Sequence, residues 1–436
     1  MEQQRKGALG LVFLTVFIDV IGFSIIFPLF PAMLEHYLSL EGEGSAIASL
    51  VKTLASFVPA DQGDWPVTVL FGSLLGSIYS LLQFAFAPFW GSLSDRIGRR
   101  PTLLFTLAGT AASYLIWIFA GSFTLLIVAR LLGGMMAGNI STASAVVADT
   151  CSGPERAKGM GIMGAGIGLG FVMGPAIGGL SASWDLVGMW PAGSEYGLNP
   201  FSGPALIALI LAVINLTWAS VRFPETLPAE RRGQGVQNRS RNPFRTLRKI
   251  DSPGVRGTNM AYFLYLTAFS AIEFTLTFLC VERLSFSVRD NAYMFVFVGL
   301  TIAFVQGGLV RRLAPKMGER KLAKIGVILT LPGFIAIGLT QSVGLLYVGL
   351  FAMAIGSAFA MPCLTALVSR YSPEEHQGLA LGTFRSMGAL SRAIGPVIGG
   401  TLYWQLGSGA PYFAAGAFLI LPLLLVLKLP EVKPDS

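Results

Sequence analysis

Residues 91–101 read GSLSDRIGRRP, a charged island between two long apolar runs. It holds one acid, Asp95, and three arginines, Arg96, Arg99 and Arg100, with turn glycines at Gly91 and Gly98. A fainter copy, RRLAPKMGERK, occupies residues 311–321. A short charged loop between membrane-length segments, met twice, predicts a chain built twice on one membrane plan.

The composition agrees. Of 436 residues, 53% are hydrophobic and 12% charged, against about 25% charged in an ordinary soluble domain. A bilayer core needs roughly 20 apolar residues per helix. Twelve segments qualify: 8–32, 67–90, 102–121, 123–148, 159–182, 203–221, 258–281, 290–310, 321–341, 344–369, 378–404 and 411–429. They are called spans 1 to 12 below. Alternating polar and apolar strands are absent, which argues against an outer-membrane barrel. The expected fold is therefore an all-α membrane protein of twelve transmembrane helices.

The net charge of +8 is a topology signal rather than a nucleic-acid footprint. With the N-terminus placed in the cytoplasm, 25 of the 31 Lys and Arg residues fall on the cytoplasmic side. Three fall outside and three lie within spans (Arg130, Arg385 and Arg392). This positive-inside bias predicts that both termini are cytoplasmic. The first apolar run is too long for a cleavable signal and reads as a retained span. Three scattered cysteines, Cys151, Cys280 and Cys363, imply no disulfide framework. Two histidines, His36 and His376, cannot form a metal cluster. No Walker-type loop is present, so a proton gradient rather than a bound cofactor is the expected energy source. The expected setting is a bacterial inner membrane, with a monomer in contact with lipid, protons and a small-molecule substrate, and with no nucleic acid.

Three landmarks recur in order. Gly98 answers to Gly318, PERAKG at 154–159 to PEEHQG at 373–378, and GPAIGG at 174–179 to GPVIGG at 395–400. The offsets are 220, 219 and 221 residues. This near-constant register divides the chain into a six-helix half (1–222), a basic linker (223–256, with Arg231, Arg232, Arg239, Arg241, Arg245, Arg248 and Lys249) and a second six-helix half (257–436). Two such halves are a transporter plan with the substrate site between them. The external stretch 35–66 reads as a partly ordered loop, although SAIASLVKTLASFV within it has helical apolar spacing.

These features resemble the major facilitator superfamily, and within it the drug/proton antiporters of tetracycline-transporter type. The likeness covers essentially the whole chain. GSLSDRIGRRP resembles the signature loop between spans 2 and 3, and Arg130 with Gly134 in LIVARLLGGMMAGN resembles the span 4 arginine motif. Gly170, Gly174, Pro175, Gly178 and Gly179 resemble the span 5 motif associated with antiport, and GFSIIFPLFP at 22–31 the end of span 1. FSAIEFTLTFL around Glu273 and FRSMGALSRAIGP are similar to the animal members of that group. The acids that serve drug and proton handling in the tetracycline proteins are absent: their positions fall at Ser113 and near Thr330. The resemblance therefore does not imply tetracycline as the substrate.

Asp19 lies mid-way along span 1 and Glu273 in its repeat counterpart, span 7. A bare carboxylate at such depth costs roughly 2.5–3.5 kcal/mol on insertion scales, so it must pair, take up a proton or face water. Both are proton-coupling candidates, with a fixed ion pair as the alternative. Arg130 is a possible partner for Asp19. Arg385 and Arg392, two turns apart on span 11, could bind an anionic substrate, neutralise Glu273 or brace the helix. Two buried acids against three arginines favour an anionic or zwitterionic cargo over a simple cation. Gln83, Asn139 and Gln306 are candidate polar cavity residues. Phe23, Phe27, Phe30, Tyr79, Phe84, Tyr262, Tyr265 and Phe269 are candidate wall residues. Asp95, Arg99 and Asp149 are expected to form a charged latch that biases one conformation. The span 5 glycines read as close helix packing, with Pro175 able to bend the span.

The leading expectation is a secondary transporter exporting an amphipathic drug-like or organic-anion compound in exchange for protons. The rivals are a uniporter or importer of an organic anion or lipid-like solute, and a transporter-like receptor that moves nothing. No paired histidines, metal-spaced carboxylates or nucleophile–base set supports an enzyme.

Overall fold

In a computed structural model, the described residues are 2–56, 65–151, 153–233, 247–248, 250, 252–372 and 377–431. Side chains are not described for 2–8, 66, 152–158, 160, 161, 165, 231 and 377–379. Arg239, Arg241, Arg245, Lys249 and His376, and with them most of the linker and part of the PEEHQG repeat, lie outside the described residues.

Among the described residues the regular structure is helical, and eleven helices are long and apolar enough to cross a membrane. The segment expected as span 11 is a continuous 30-residue helix, Gln377–Leu406. It is not one of those eleven, because Arg385, Arg392 and a run of small and polar residues dilute its apolar content.

Several spans are broken where the backbone chemistry requires it. Span 1 is a helix over Glu2–Ser24, a 3-10 turn at Phe27–Leu29 and a second helix over Phe30–Glu41. Pro28 and Pro31 remove two amide donors at this joint. Span 1 therefore runs on to Glu41, well beyond the expected boundary. The amphipathic stretch beyond it, expected as a loop, forms a helix over Ala46–Ala55, with the Ser45 hydroxyl accepting from the Ala48 amide. Span 4 is Phe123–Met136 followed by Asn139–Thr150. Two span 2 side chains meet the carbonyls at this break: Trp90 Nε1 donates to Met135 O at 2.6 Å and Gln83 Nε2 to Ala137 O at 3.2 Å. Gly138 is required there, since a Cβ would stand 2.1 Å from the Trp90 ring. Span 8 contains a π-helical turn over Val305–Val310. Span 7 is the helix Pro253–Leu284, capped by Ser252, and its first turn overlaps the end of the basic stretch.

The expected glycine motifs organise the helix packing in both halves. Added Cβ atoms at Gly170, Gly174 and Gly178 would fall 2.8, 2.0 and 1.9 Å from span 1 atoms. Gly395 and Gly399 face span 7 in the same way, at 2.7 Å from Ser270 and from Ala271. The last glycine of each motif instead points across to the other half. A Cβ on Gly179 would lie 2.6 Å from Ala292 of span 8, and one on Gly400 would lie 1.9 Å from Ser73 of span 2. Small residues thus let the halves approach closely at one membrane face. That face is the one away from the chain ends, called the far face below. The opposite, terminal face holds the charged loop and the end of span 12, where Arg320 Nη2 donates to Leu427 O at 2.6 Å.

Candidate functional site: an arginine-bearing cavity

A cavity of about 340 Å³ lies among spans 5, 7, 8, 10 and 11. Its walls include Phe171, Tyr262, Leu266, Phe269, Phe295 and Met353. The charged groups set into these walls are Glu273, Arg385, Arg392, Glu319 and Arg370. Of the expected polar cavity residues, Gln306 lines it, from the π-helical turn of span 8. Such turns turn a side chain out of helical register and recur at functional sites.

Arg392 is buried, with its guanidinium 5.4 Å from the centre of the Phe171 ring. Arg385 lies 5.8 Å from the Phe384 ring, which stacks on Tyr262 at 3.8 Å. Each arginine thus lies within reach of an aromatic face. Arg392 is within electrostatic reach of Glu273, but no ion pair joins Glu273 to either arginine among the described residues. The lock between Glu273 and span 11 is therefore not formed in this conformation.

Asp19, Arg130, Asn139 and Gln83 do not line this cavity. They belong to a separate buried polar cluster inside the first half. The partner of Asp19 is not Arg130 but Asn139, whose Nδ2 donates to Asp19 Oδ1 at 3.0 Å. Asn139 Oδ1 in turn accepts from Thr106 Oγ1 at 2.5 Å. Arg130 lies over the Tyr79 ring at 4.5 Å, and its Nε and Nη2 lack hydrogen-bond partners among the described residues. The reason is geometric: the break in span 4 turns Asn139, not Arg130, toward span 1. Ser113 and Thr330, the positions of the missing acids, are buried hydroxyls; Ser113 donates to Thr110 O and Thr330 lies 3.0 Å from the Tyr265 hydroxyl.

Toward the far face the halves close over the cavity. Phe27 and Phe30 of span 1 pack on Phe274 of span 7, with centroids 6.4 and 6.0 Å apart. Trp65 packs on Phe278 at 6.4 Å, and its Nε1 donates across the halves to the Tyr403 hydroxyl at 3.3 Å. Tyr403 donates in turn to Glu282. The sequence marked Phe27 and Phe30 as wall residues but not Trp65, Tyr403 or Glu282.

At the terminal face Arg99 Nη1 meets Asp95 Oδ1 at 2.5 Å and Ser94 Oγ at 2.7 Å, and its Nε meets Asp149 Oδ2 at 2.8 Å. Glu225, which sequence reasoning missed, accepts from the Arg99 and Arg100 amides at 2.9 and 3.2 Å and so caps span 3. Arg100 Nη2 donates to Ser220 O at 2.7 Å, and Arg96 is exposed. Gly98 adopts φ +113°, and Gly91 lies against Ser141 of span 4. Asp95, Arg99 and Asp149 all belong to the first half, so these contacts brace spans 2, 3 and 4 to one another.

A sequence profile of the Major Facilitator Superfamily matches residues 12–317 and 309–436. The chain belongs to the major facilitator superfamily. It is 35% identical over 440 residues to the bovine major facilitator superfamily domain-containing protein 10, covering 97% of this chain and 92% of that one. It is 27% identical over 409 residues to the class B tetracycline resistance protein of Escherichia coli, covering 92% and 89%. The crystal structure of the human organic anion transporter MFSD10 (TETRAN) superposes with a TM-score of 0.79 at 33% identity, covering 97% of this chain and 99% of that one. The protein is thus an integral multi-pass transporter of this superfamily, with relatives among transporters rather than enzymes.

Proposed function

We propose that the protein is a proton-linked transporter of amphipathic organic anions, with the linker and both termini in the cytoplasm. One observation carries the substrate class: Arg392 is buried against the Phe171 ring with no ion pair to Glu273 among the described residues, and with Arg385 it borders a largely aromatic and aliphatic cavity. Such a site offers an apolar body wide contact and an acidic group two fixed cations. The similarity to a human organic anion transporter supports this reading.

Glu273 supplies the proton link. An ionised Glu273 beside Arg392 competes with an incoming anion for the same positive field; a protonated Glu273 does not. Proton and anion therefore favour one another's binding and travel in the same direction. Exchange in opposite directions is the second reading, supported by the span 5 glycine run and the similarity to tetracycline resistance proteins. Thermal stabilisation of purified protein by an aryl carboxylate and by the matched aryl amine tests the substrate class. The carboxylate is expected to raise Tm and the amine to leave it unchanged; the reverse ranking would remove the organic-anion reading.

A further inference from the structure

The two repeats carry the same ion pair with its charges exchanged. Arg99 is the first residue of the span 3 helix, directly after Gly98; Glu319 is the first residue of the span 9 helix, directly after Gly318. Asp149 and Arg370 each stand one residue before the last residue of their helices, spans 4 and 10. The offsets are 220 and 221 residues, the register of the whole repeat. Arg99 Nε meets Asp149 Oδ2 at 2.8 Å, and Arg370 Nη1 meets Glu319 Oε2 at 2.7 Å. In the first half the cation sits on the earlier helix, and in the second half on the later one.

The inversion has a geometric consequence. The first-half pair borders no part of the cavity, and Arg99 is held there by Asp95 as well. In the second half Pro315 occupies the place of Asp95. Glu319 and Arg370 line the cavity, at its terminal end. The exchange therefore adds a third arginine to the cavity that already holds Arg385 and Arg392. Arg385 lies eight residues into span 11, about 12 Å along the helix, and Arg392 about 10 Å deeper. Arginines thus stand at three depths, and the shallowest is paired with Glu319.

We propose that Arg370 is the entry subsite for the substrate's acidic group, and that Glu319 is the gatekeeper this group displaces. A carboxylate arriving at the mouth replaces Glu319 on Arg370, an exchange that leaves the charge on the guanidinium balanced. The anion then passes inward to Arg385 and Arg392. The carboxylate of Glu319 freed by this exchange repels further anions at the mouth. This inference rests on the organic-anion reading and adds to it which residues set the capture rate.

A charge at the rim of a site acts chiefly on association rate and its salt dependence. The experiment is stopped-flow association of 4-(1-pyrenyl)butyrate, and of its uncharged methyl ester, with purified protein in lipid nanodiscs at low salt. Glu319→Gln is expected to raise the association rate of the acid about three- to tenfold and Arg370→Gln to lower it by a similar factor. Dissociation of the acid, and both rates for the ester, are expected to stay unchanged. A purely structural ion pair would move both variants in the same direction and would affect acid and ester alike; that result, or no change in either variant, overturns the inference. Wild-type binding that is indifferent to Arg392→Gln would instead overturn the organic-anion reading itself, so the two failures are distinguishable.

Discussion

Asn139 Nδ2 donates to Asp19 Oδ1 at 3.0 Å, whereas Arg130, nine residues earlier on the same span, lies over Tyr79. The buried acid of span 1 is therefore met by an amide rather than by a counter-ion. Asn139→Leu removes the donor to Asp19, while the Thr106 hydroxyl keeps the Thr102 and Leu103 carbonyls as acceptors. Leaving a buried polar group unsatisfied costs about 1–3 kcal/mol, so a clear fall in Tm is expected. Asp19→Asn keeps a carbonyl oxygen for the same bond and is expected to fall less. Equal Tm for Asn139→Leu and wild type in detergent would show that this bond carries no stability.

The charged loop makes a separate stability prediction. The Arg99 side chain is 5% exposed and lies between Asp95 and Asp149. Removing one partner from a buried ion-pair network typically costs about 3–5 kcal/mol. Arg99→Ala is expected to lower Tm strongly, and Arg99→Lys to recover it only in part, because an ammonium cannot reproduce two separate guanidinium contacts. Full recovery by lysine, measured by thermal unfolding, would mean that charge alone matters there.

Gly179 tests the far-face closure. A side chain there must displace Ala292 and the Val288 carbonyl, both of span 8. Gly179→Leu is expected to wedge the halves apart, reduce transport and increase labelling of a cysteine introduced at Phe274 by a membrane-impermeant reagent from the far face. Gly344→Leu, at the start of span 10, where no atom lies within 4 Å of the added Cβ and which does not line the cavity, is the packing control. Unchanged labelling in Gly179→Leu would place the closure elsewhere.

Much of this architecture was legible in the sequence because bilayer burial writes long apolar runs and because the repeat is marked by glycine and proline. Gly174–Gly179 and Gly395–Gly400 report their own packing: only glycine fits where two backbones meet. The breaks were less legible. Trp90 and Gln83, which satisfy the carbonyls of the interrupted span 4, lie one span away and leave no local periodic signal. The same break explains why Arg130 was expected as the partner of Asp19 while Asn139 holds that place. Glu273, Arg385 and Arg392 were visible as charges where charge is expensive. Arg370 and Glu319 were hidden because they sit at helix ends, where charge is ordinary. The repeat register nevertheless marks them once Asp149 is carried forward by 221 residues.

The central claim is that Arg392 binds an organic anion while Glu273 links that binding to a proton. Uptake of an aryl carboxylate into proteoliposomes with an imposed pH gradient tests it most directly. The wild type is expected to take up the carboxylate faster when the outside is acidic than when the gradient is absent. Glu273→Gln is expected to retain carboxylate exchange but lose its response to the gradient, and Arg392→Ala to lose carboxylate transport by at least about tenfold, the loss of one charge-assisted contact of roughly 1.5–3 kcal/mol. Carboxylate flux indifferent to the gradient in the wild type, or undiminished in Arg392→Ala, would contradict the account.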